Sequence, residues 1–210
     1  MNDDVLGLYL CLGAALTVLI AQRHVVWPPW HWCPRHVAEA LCAWFVVDLG
    51  SGLLHIYLDH SEMANDGSFG DEQRRAFRHH HEFPGGKFRA DPAYHAFLEM
   101  NYVLPYTLLA LLGLAAYPRT WPLKTFFFNV AVGASLTQCF HLFAHARTHG
   151  FWVPAPIQWM QDAGVVLSPA HHRLHHLPPY DVNFGITTGW SAPLLNAAYT
   201  PGPQQSPYFL

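Results

Sequence analysis

The densest chemistry in the chain lies in one short run, His171-His172-Arg173-Leu174-His175-His176. Residues four apart on a helix stand one turn above each other, so His171/His175 and His172/His176 form two ligand pairs on adjacent faces. A doubled pair of this kind can touch two metal ions. His141 and His145 repeat the spacing, with His149 one turn beyond, and His55 with Asp59 repeats it with mixed ligands. His79-His80-His81 adds a contiguous tract. Histidine is the compositional outlier, at 16 residues against 11 Lys plus Arg. A lone His pair is ordinarily a solvated surface feature, and His-rich tracts can bind metal loosely without catalysis. Convergence of four clusters from distant positions is what points to one built site.

Ligand type narrows the metal. A structural zinc is satisfied by four ligands and usually recruits thiolates. The four cysteines, Cys11, Cys33, Cys42 and Cys139, form no CxxC pair and read as small core residues. Nitrogen-rich coordination suits iron, copper or zinc, but this many paired imidazoles indicates two ions with open positions. Iron is favoured, because two irons can activate O2 between them. Beside lipid, such a centre has an unactivated C–H bond of an alkyl or acyl chain as its target. Removing two hydrogens gives an alkene and returning oxygen gives an alcohol, so the ligand set alone leaves desaturase and hydroxylase both open.

The elements that carry these residues read as an all-α integral membrane protein, a single domain over 1–210. Hydrophobic residues make up 51% and aromatics 15%, while charged residues reach 12%, about half the usual share for a soluble domain. A net charge of −3 without a basic stripe excludes nucleic acid as a partner. Four apolar segments are expected to span a bilayer: Val5 to Ala21, Val37 to Asp59, Asn101 to Tyr117 and Phe126 to Ala146. The acidic start Met1-Asn2-Asp3-Asp4 lacks a signal peptide's basic region, so the first span is expected to be retained. Trp/Pro-rich turns at Val25 to Trp32 and Pro118 to Pro122 suit the membrane interface. Ile157 to Leu167 is expected to form an amphipathic helix lying on the membrane, with the remainder soluble or interfacial.

Counting spans places the chemistry on one side. His55 and Asp59 end the second span, His95 and Glu99 precede the third, and His141 and His145 end the fourth. This His-rich cap also carries most of the arginines, including Arg74, Arg75, Arg78, Arg89, Arg147 and Arg173, so the positive-inside rule makes it cytoplasmic. The expected location is the inner or plasma membrane of a bacterium, or the endoplasmic reticulum of a eukaryote.

The motifs in order resemble a known family. Val47-Asp48-Leu49-Gly50-Ser51-Gly52-Leu53-Leu54-His55, Phe77-Arg78-His79-His80-His81-Glu82-Phe83-Pro84 and His95-Ala96-Phe97-Leu98-Glu99 are similar to successive motifs of the Kua-type lipid desaturases. That group includes the plasmanylethanolamine desaturases and the plant palmitate desaturase. Gln138 to His145, Leu167 to His176 and Asn183-Phe184-Gly185-Ile186-Thr187-Thr188-Gly189-Trp190 continue the match, which covers about Phe45 to Tyr199. The resemblance implies a di-iron lipid desaturase that consumes O2 and acts on a membrane phospholipid. It implies as metal ligands His55, His80, His81, His95, His141, His145, His171, His172, His175 and His176. Asp59 and Glu99 are expected to orient imidazole N–H groups, and Asn183 to do likewise or to serve as a neutral ligand.

Two departures flank the expected site: His79 stands where an acidic residue is expected, and His60-Ser61-Glu62 follows Asp59. Both bear on substrate choice more than on metal. His24, His31, His36, His60 and His149 match no motif and read as interfacial or surface residues. Phe83-Pro84-Gly85-Gly86 looks like the haem motif of cytochrome b5 domains, but Phe83 replaces the haem-ligating histidine. Electrons are therefore expected from a separate donor of ferredoxin or cytochrome b5 type, with the arginines around Arg74 and Arg75 as its docking surface. The rival of another class is a metal transporter, which needs polar groups threaded through the bilayer; here the third span is nearly free of charge.

Overall fold

The computed structural model describes residues 34–63, 66–84, 106–107, 109–114, 116 and 123–199. The expected first span, both interfacial Trp/Pro turns, His95 and Glu99 lie outside the described residues. Among those described the chain is all-helical, with no strand. In chain order the helices are α1 (Pro34–His60), α2 (Phe69–Glu82), α3 (Lys124–Thr148), α4 (Ala155–Asp162), α5 (Pro169–His175) and α6 (Ala192–Ala198).

Two of them are long and apolar enough to cross a bilayer, α1 with 27 residues and α3 with 25. At about 1.5 Å per residue they run roughly 40 Å, beyond the ~30 Å of a hydrocarbon core. They coincide with the expected second and fourth spans. Residues 106–107, 109–114 and 116, within the expected third span, are helical, and Leu111 and Leu114 pack on Phe128 and Ala131 of α3.

Helix α1 packs chiefly along α3. Trp44 and Phe140 meet with ring centroids 5.8 Å apart, and Gly133 lets α3 approach Val47, whose Cγ2 lies 3.3 Å from where a Cβ would stand. The outer face of α1 presents Leu41, Val46, Leu53, Leu54 and Tyr57 exposed, as lipid contact requires. Cys139 is a core residue, as expected, whereas Cys42 is exposed on that α1 face.

Short α2 and α5 begin on serine caps: Ser68 Oγ accepts from the Asp71 amide and Ser168 Oγ from the His171 amide. Helix α2 is held to α1 by two arginines one turn apart. Arg74 pairs with buried Asp71 and donates to Tyr57 Oη at 2.9 Å. Arg78 donates to the Asp59 and Ser61 carbonyls at the C-terminal end of α1. Of the two arginines expected at a donor-docking surface, Arg74 is turned inward and buried, whereas Arg75 is half-exposed.

The segment after α3 departs from expectation. The helix expected at Ile157 to Leu167 runs instead over Ala155–Asp162, stopped by Gly164 in the left-handed region at φ 67°. Val166 and Leu167 then join Phe140, Ala144 and Ile186 in a core cluster. The chain beyond α5 is not peripheral either. Phe184, Ile186, Thr187, Thr188 and Ser191 are buried, lying in non-helical backbone against the middle of α1.

Candidate metal centre

Among the described residues, nine side chains converge at one end of α1 and α3, in two groups. The first holds His80, His141, His145, His172 and His176; the second holds His55, Asp59, His81 and His175. Within each group the potential ligand atoms all lie within 4.8 Å of one another. The division follows the helices. His141 and His145 of α3, one turn apart, both serve the first group, and His55 and Asp59 of α1, also one turn apart, both serve the second. Helices α2 and α5 feed both. Neighbours His80 and His81 point about 100° apart on α2 and separate, one to each group. His172 and the α5 cap residue His176 enter the first group while His175 enters the second. The groups abut, with His81 and His176 ring centroids 4.9 Å apart and those of His172 and His175 stacked at 5.7 Å.

The imidazole nitrogens face one another. In the first group Nε2 of His141 is 3.1 Å from Nε2 of both His80 and His145, His145 is 2.8 Å from His172, and His172 is 3.1 Å from His176. In the second, Nε2 of His175 is 3.0 Å from that of His55 and 3.2 Å from that of His81. Asp59 closes this group, its carboxylate oxygens 3.4 Å from Nε2 of His55 and of His81 and 3.7 Å from Nε2 of His175.

Proton positions test whether a cation belongs there. His55 Nδ1 lies 3.1 Å from the Phe184 carbonyl and His175 Nδ1 2.9 Å from the Val182 carbonyl. A carbonyl only accepts, so both Nδ1 atoms carry the proton and both Nε2 atoms turn lone pairs inward. His141 repeats the pattern through Gln138 Oε1 at 3.3 Å. Burial, with neighbouring imidazoles adding to it, pushes His81 down to about 2 and His175 down to about 3, so these rings are neutral. Two inward lone pairs and a carboxylate with neither oxygen hydrogen-bonded repel one another unless a proton or a positive ion lies between them. The spacing fits as well: nitrogens bound at right angles at about 2.1 Å lie about 3.0 Å apart. The residues fit two metal ions, held from Nε2, with Nδ1 anchored on the protein at His55, His141 and His175, a common arrangement for metal-binding histidine.

Several sequence expectations are revised. Asp59 faces the Nε2 atoms and not the Nδ1–H groups, so it stands among the donors and does not orient them from behind; backbone carbonyls do that. His171 lies in neither group. Its ring packs on Gly189, where a Cβ would come within 2.8 Å of Nε2, because the first turn of α5 faces the C-terminal segment. The expected pair His171/His175 is thereby split, whereas His172/His176 stays together. Asn183 touches no imidazole nitrogen. It adopts φ 60° and donates from Nδ2 to the His171 carbonyl, while Asn196 bonds its backbone amide and its Oδ1. His60, read as peripheral, is half-buried with its ring 5.8 Å from Phe184 and 5.0 Å from Tyr199. His149 is exposed, as expected.

Asp48 is the residue that sequence reasoning passed over. It is fully buried, and its carboxylate accepts five hydrogen bonds: from the amides of Thr187, Thr188 and Gly189 on Oδ1, and from the amide and hydroxyl of Ser191 on Oδ2. Its signal was present as a carboxylate in the middle of an apolar span, a position that demands partners.

Bilayer-length helices bearing a double imidazole-rich donor site define a helical, metal-site class of protein. The chain belongs to the lipid desaturase family, whose lipid desaturase domain matches residues 44–199. It is 31% identical over 172 residues to plasmanylethanolamine desaturase 1 of Mus musculus, covering 77% of this chain and 60% of the relative. Plasmanylethanolamine desaturase of Myxococcus xanthus is 27% identical over 73% of this chain and 53% of its own length. Fatty acid desaturase 4, chloroplastic, of Arabidopsis thaliana is 29% identical over 76% and 47% respectively. The chain thus spans about half the length of the curated relatives it matches. No solved structure matches it.

Proposed function

We propose that this chain is a di-iron, O2-dependent membrane lipid desaturase that introduces a C=C bond into an alkyl or acyl chain of a phospholipid. The observation that carries the proposal is the pair of abutting donor groups in a chain of the lipid desaturase family. Relatives are named as desaturases of plasmanylethanolamine or of a fatty acid, and both fall within the proposed substrate class. Bound iron would supply the redox chemistry, in which O2, two electrons and two protons take two hydrogens from adjacent carbons and leave an alkene and two waters.

The chain's own residues hold and shield that chemistry. The proposed ligands are the nine side chains of the two groups, with His95 added on the family resemblance. Five imidazole nitrogens would hold one ion, and three with the Asp59 carboxylate would hold the other. Phe77 packs edge-on to His55 at 5.2 Å, Phe184 lies 5.3 Å from His175 and Tyr180 lies 4.7 Å from His81, an aromatic wall that excludes water from the second group. Electrons are proposed to arrive from a separate donor of ferredoxin or cytochrome b5 type. The proposed topology has four spans and a cytoplasmic His-rich face, in the inner membrane of a bacterium or the endoplasmic reticulum of a eukaryote.

Comparative lipidomics of cells with and without the gene, repeated with His172→Ala, tests this reading. A phospholipid two hydrogens lighter than its precursor should appear with the intact chain alone. A product heavier by one oxygen would assign a hydroxylase instead, and identical lipids in all three cultures would reject both.

A further inference from the structure

Asp48 stands seven residues before His55 on α1, about 10 Å below the donor groups. It touches no candidate ligand. Its five hydrogen bonds all go to residues 187–191, which makes it the acceptor for a run of otherwise unpaired amides in buried, non-helical backbone. Ser51, one turn along α1, extends the contact: its hydroxyl accepts from the Ile186 amide at 3.2 Å.

The anchored strip leads straight to the second donor group. Immediately upstream, the Phe184 carbonyl receives the Nδ1–H of His55 and the Val182 carbonyl receives that of His175. The two acceptors that orient two of the three histidines in this group therefore hang from the strip that Asp48 holds. The five-histidine group leans on the strip less directly: Gln138 on α3 itself faces His141 Nδ1, and the strip reaches His172 and His176 through the backbone of α5, where the Leu167 amide donates to the Thr187 carbonyl and Asn183 Nδ2 to the His171 carbonyl. Two glycines keep the clamp tight. A Cβ on Gly185 would meet Asp48 Oδ2 at 2.5 Å and Ser191 Oγ at 2.8 Å, and a Cβ on Gly52 would meet the Gly185 amide at 3.2 Å and collide with the Leu195 side chain.

We propose that Asp48 is a positioning residue which, by clamping residues 187–191 to α1, sets the metal affinity of the His55/Asp59/His81/His175 group more strongly than that of the five-histidine group. The inference rests on the two-ion reading above. Loss of hydrogen-bonded partners behind a metal-binding histidine costs on the order of 10- to 100-fold in affinity, and here that loss falls chiefly on one ion of the two.

The test is anaerobic titration of the metal-free, detergent-solubilised full chain with Co2+, following stoichiometry and the visible ligand-field spectrum. The intact chain should take up two equivalents. Asp48→Asn should bind one equivalent within about threefold of the intact chain's affinity and the other at least tenfold more weakly. Its one-equivalent spectrum should match that of His81→Ala and differ from that of His145→Ala. Gly185→Ala, which displaces the same carboxylate from the opposite side, should reproduce the effect. Ser191→Ala, which removes one bond of five, should give a smaller shift in the same direction and serves if the stronger variants do not fold. Two equivalents at unchanged affinity in these variants would overturn the clamp, as would equal weakening of both equivalents in a folded variant. An intact chain that binds fewer than two equivalents would instead overturn the two-ion reading.

Discussion

Asp59→Asn should change the stability of this protein in opposite directions with and without metal. The side chain is 6% exposed and neither carboxylate oxygen accepts a hydrogen bond, while the nearest polar atoms are the Nε2 atoms of His55 and His81 at 3.4 Å. In the metal-free chain the ionised form is a buried acceptor pair without hydrogen-bond donors, a defect that costs about 1–3 kcal/mol; protonation relieves it, so the comparison is made at alkaline pH. Asparagine keeps the shape, removes the charge and brings an amide N–H that an inward lone pair can accept. The metal-free variant should therefore melt higher, by roughly 2–12 °C at about 2–4 °C per kcal/mol for a chain of this size. Bound metal reverses the balance. Structural sites of four ligands are worth roughly 10–16 kcal/mol, about 3 kcal/mol per ligand, so losing the carboxylate should weaken that ion about 100-fold. At a metal concentration 1,000 times the original Kd, stabilisation by that ion falls from about 4.1 to about 1.4 kcal/mol. Thermal denaturation with chelator and with saturating Co2+ measures both effects. A metal-free variant that melts no higher, together with an undiminished rise on adding metal, would show that Asp59 is not among the donors.

Three further outcomes follow from the same geometry. Burial holds His176 down to about 4 and His175 down to about 3, against an ordinary value of 6.5; because the unfolded chain binds these protons first, metal-free stability should be full above pH 6.5 and fall as pH drops towards 4, measured as melting temperature against pH. Gly52→Ala should cost about 1–3 kcal/mol, since its Cβ collides with Leu195 and crowds the Gly185 amide; an unchanged melting temperature would mean that α1 and the C-terminal segment do not meet so closely. Arg74→Ala should cost about 1–3 kcal/mol by removing the charged partner of buried Asp71, whose Oδ2 keeps the Asp66 amide, whereas half-exposed Arg75→Ala should stay within about 0.5 kcal/mol; equal melting temperatures would refute the inward placement of Arg74.

Much of this protein is legible in one dimension because the underlying rules are local. Apolar runs of bilayer length mark α1 and α3 whatever they pack against, and i,i+4 spacing on a helix brings His141 to His145, and His172 to His176, with no tertiary information. The family is likewise carried by ordered motifs. Tertiary structure decided how the donors are shared. His80 and His81 are neighbours in sequence yet serve different groups, because successive helical residues diverge by about 100° and α2 lies between the two clusters. His171 has the same spacing to His175 as His172 has to His176, but the C-terminal segment occupies the face to which it points. Asp59 becomes a potential donor because Nδ1 of His55 and of His175 finds a backbone carbonyl 129 and 7 residues away respectively, turning both Nε2 atoms towards it. Asp48 follows the same logic: sequence marks a carboxylate in an apolar helix as needing partners, and only the fold supplies them, from backbone amides about 140 positions further along the chain.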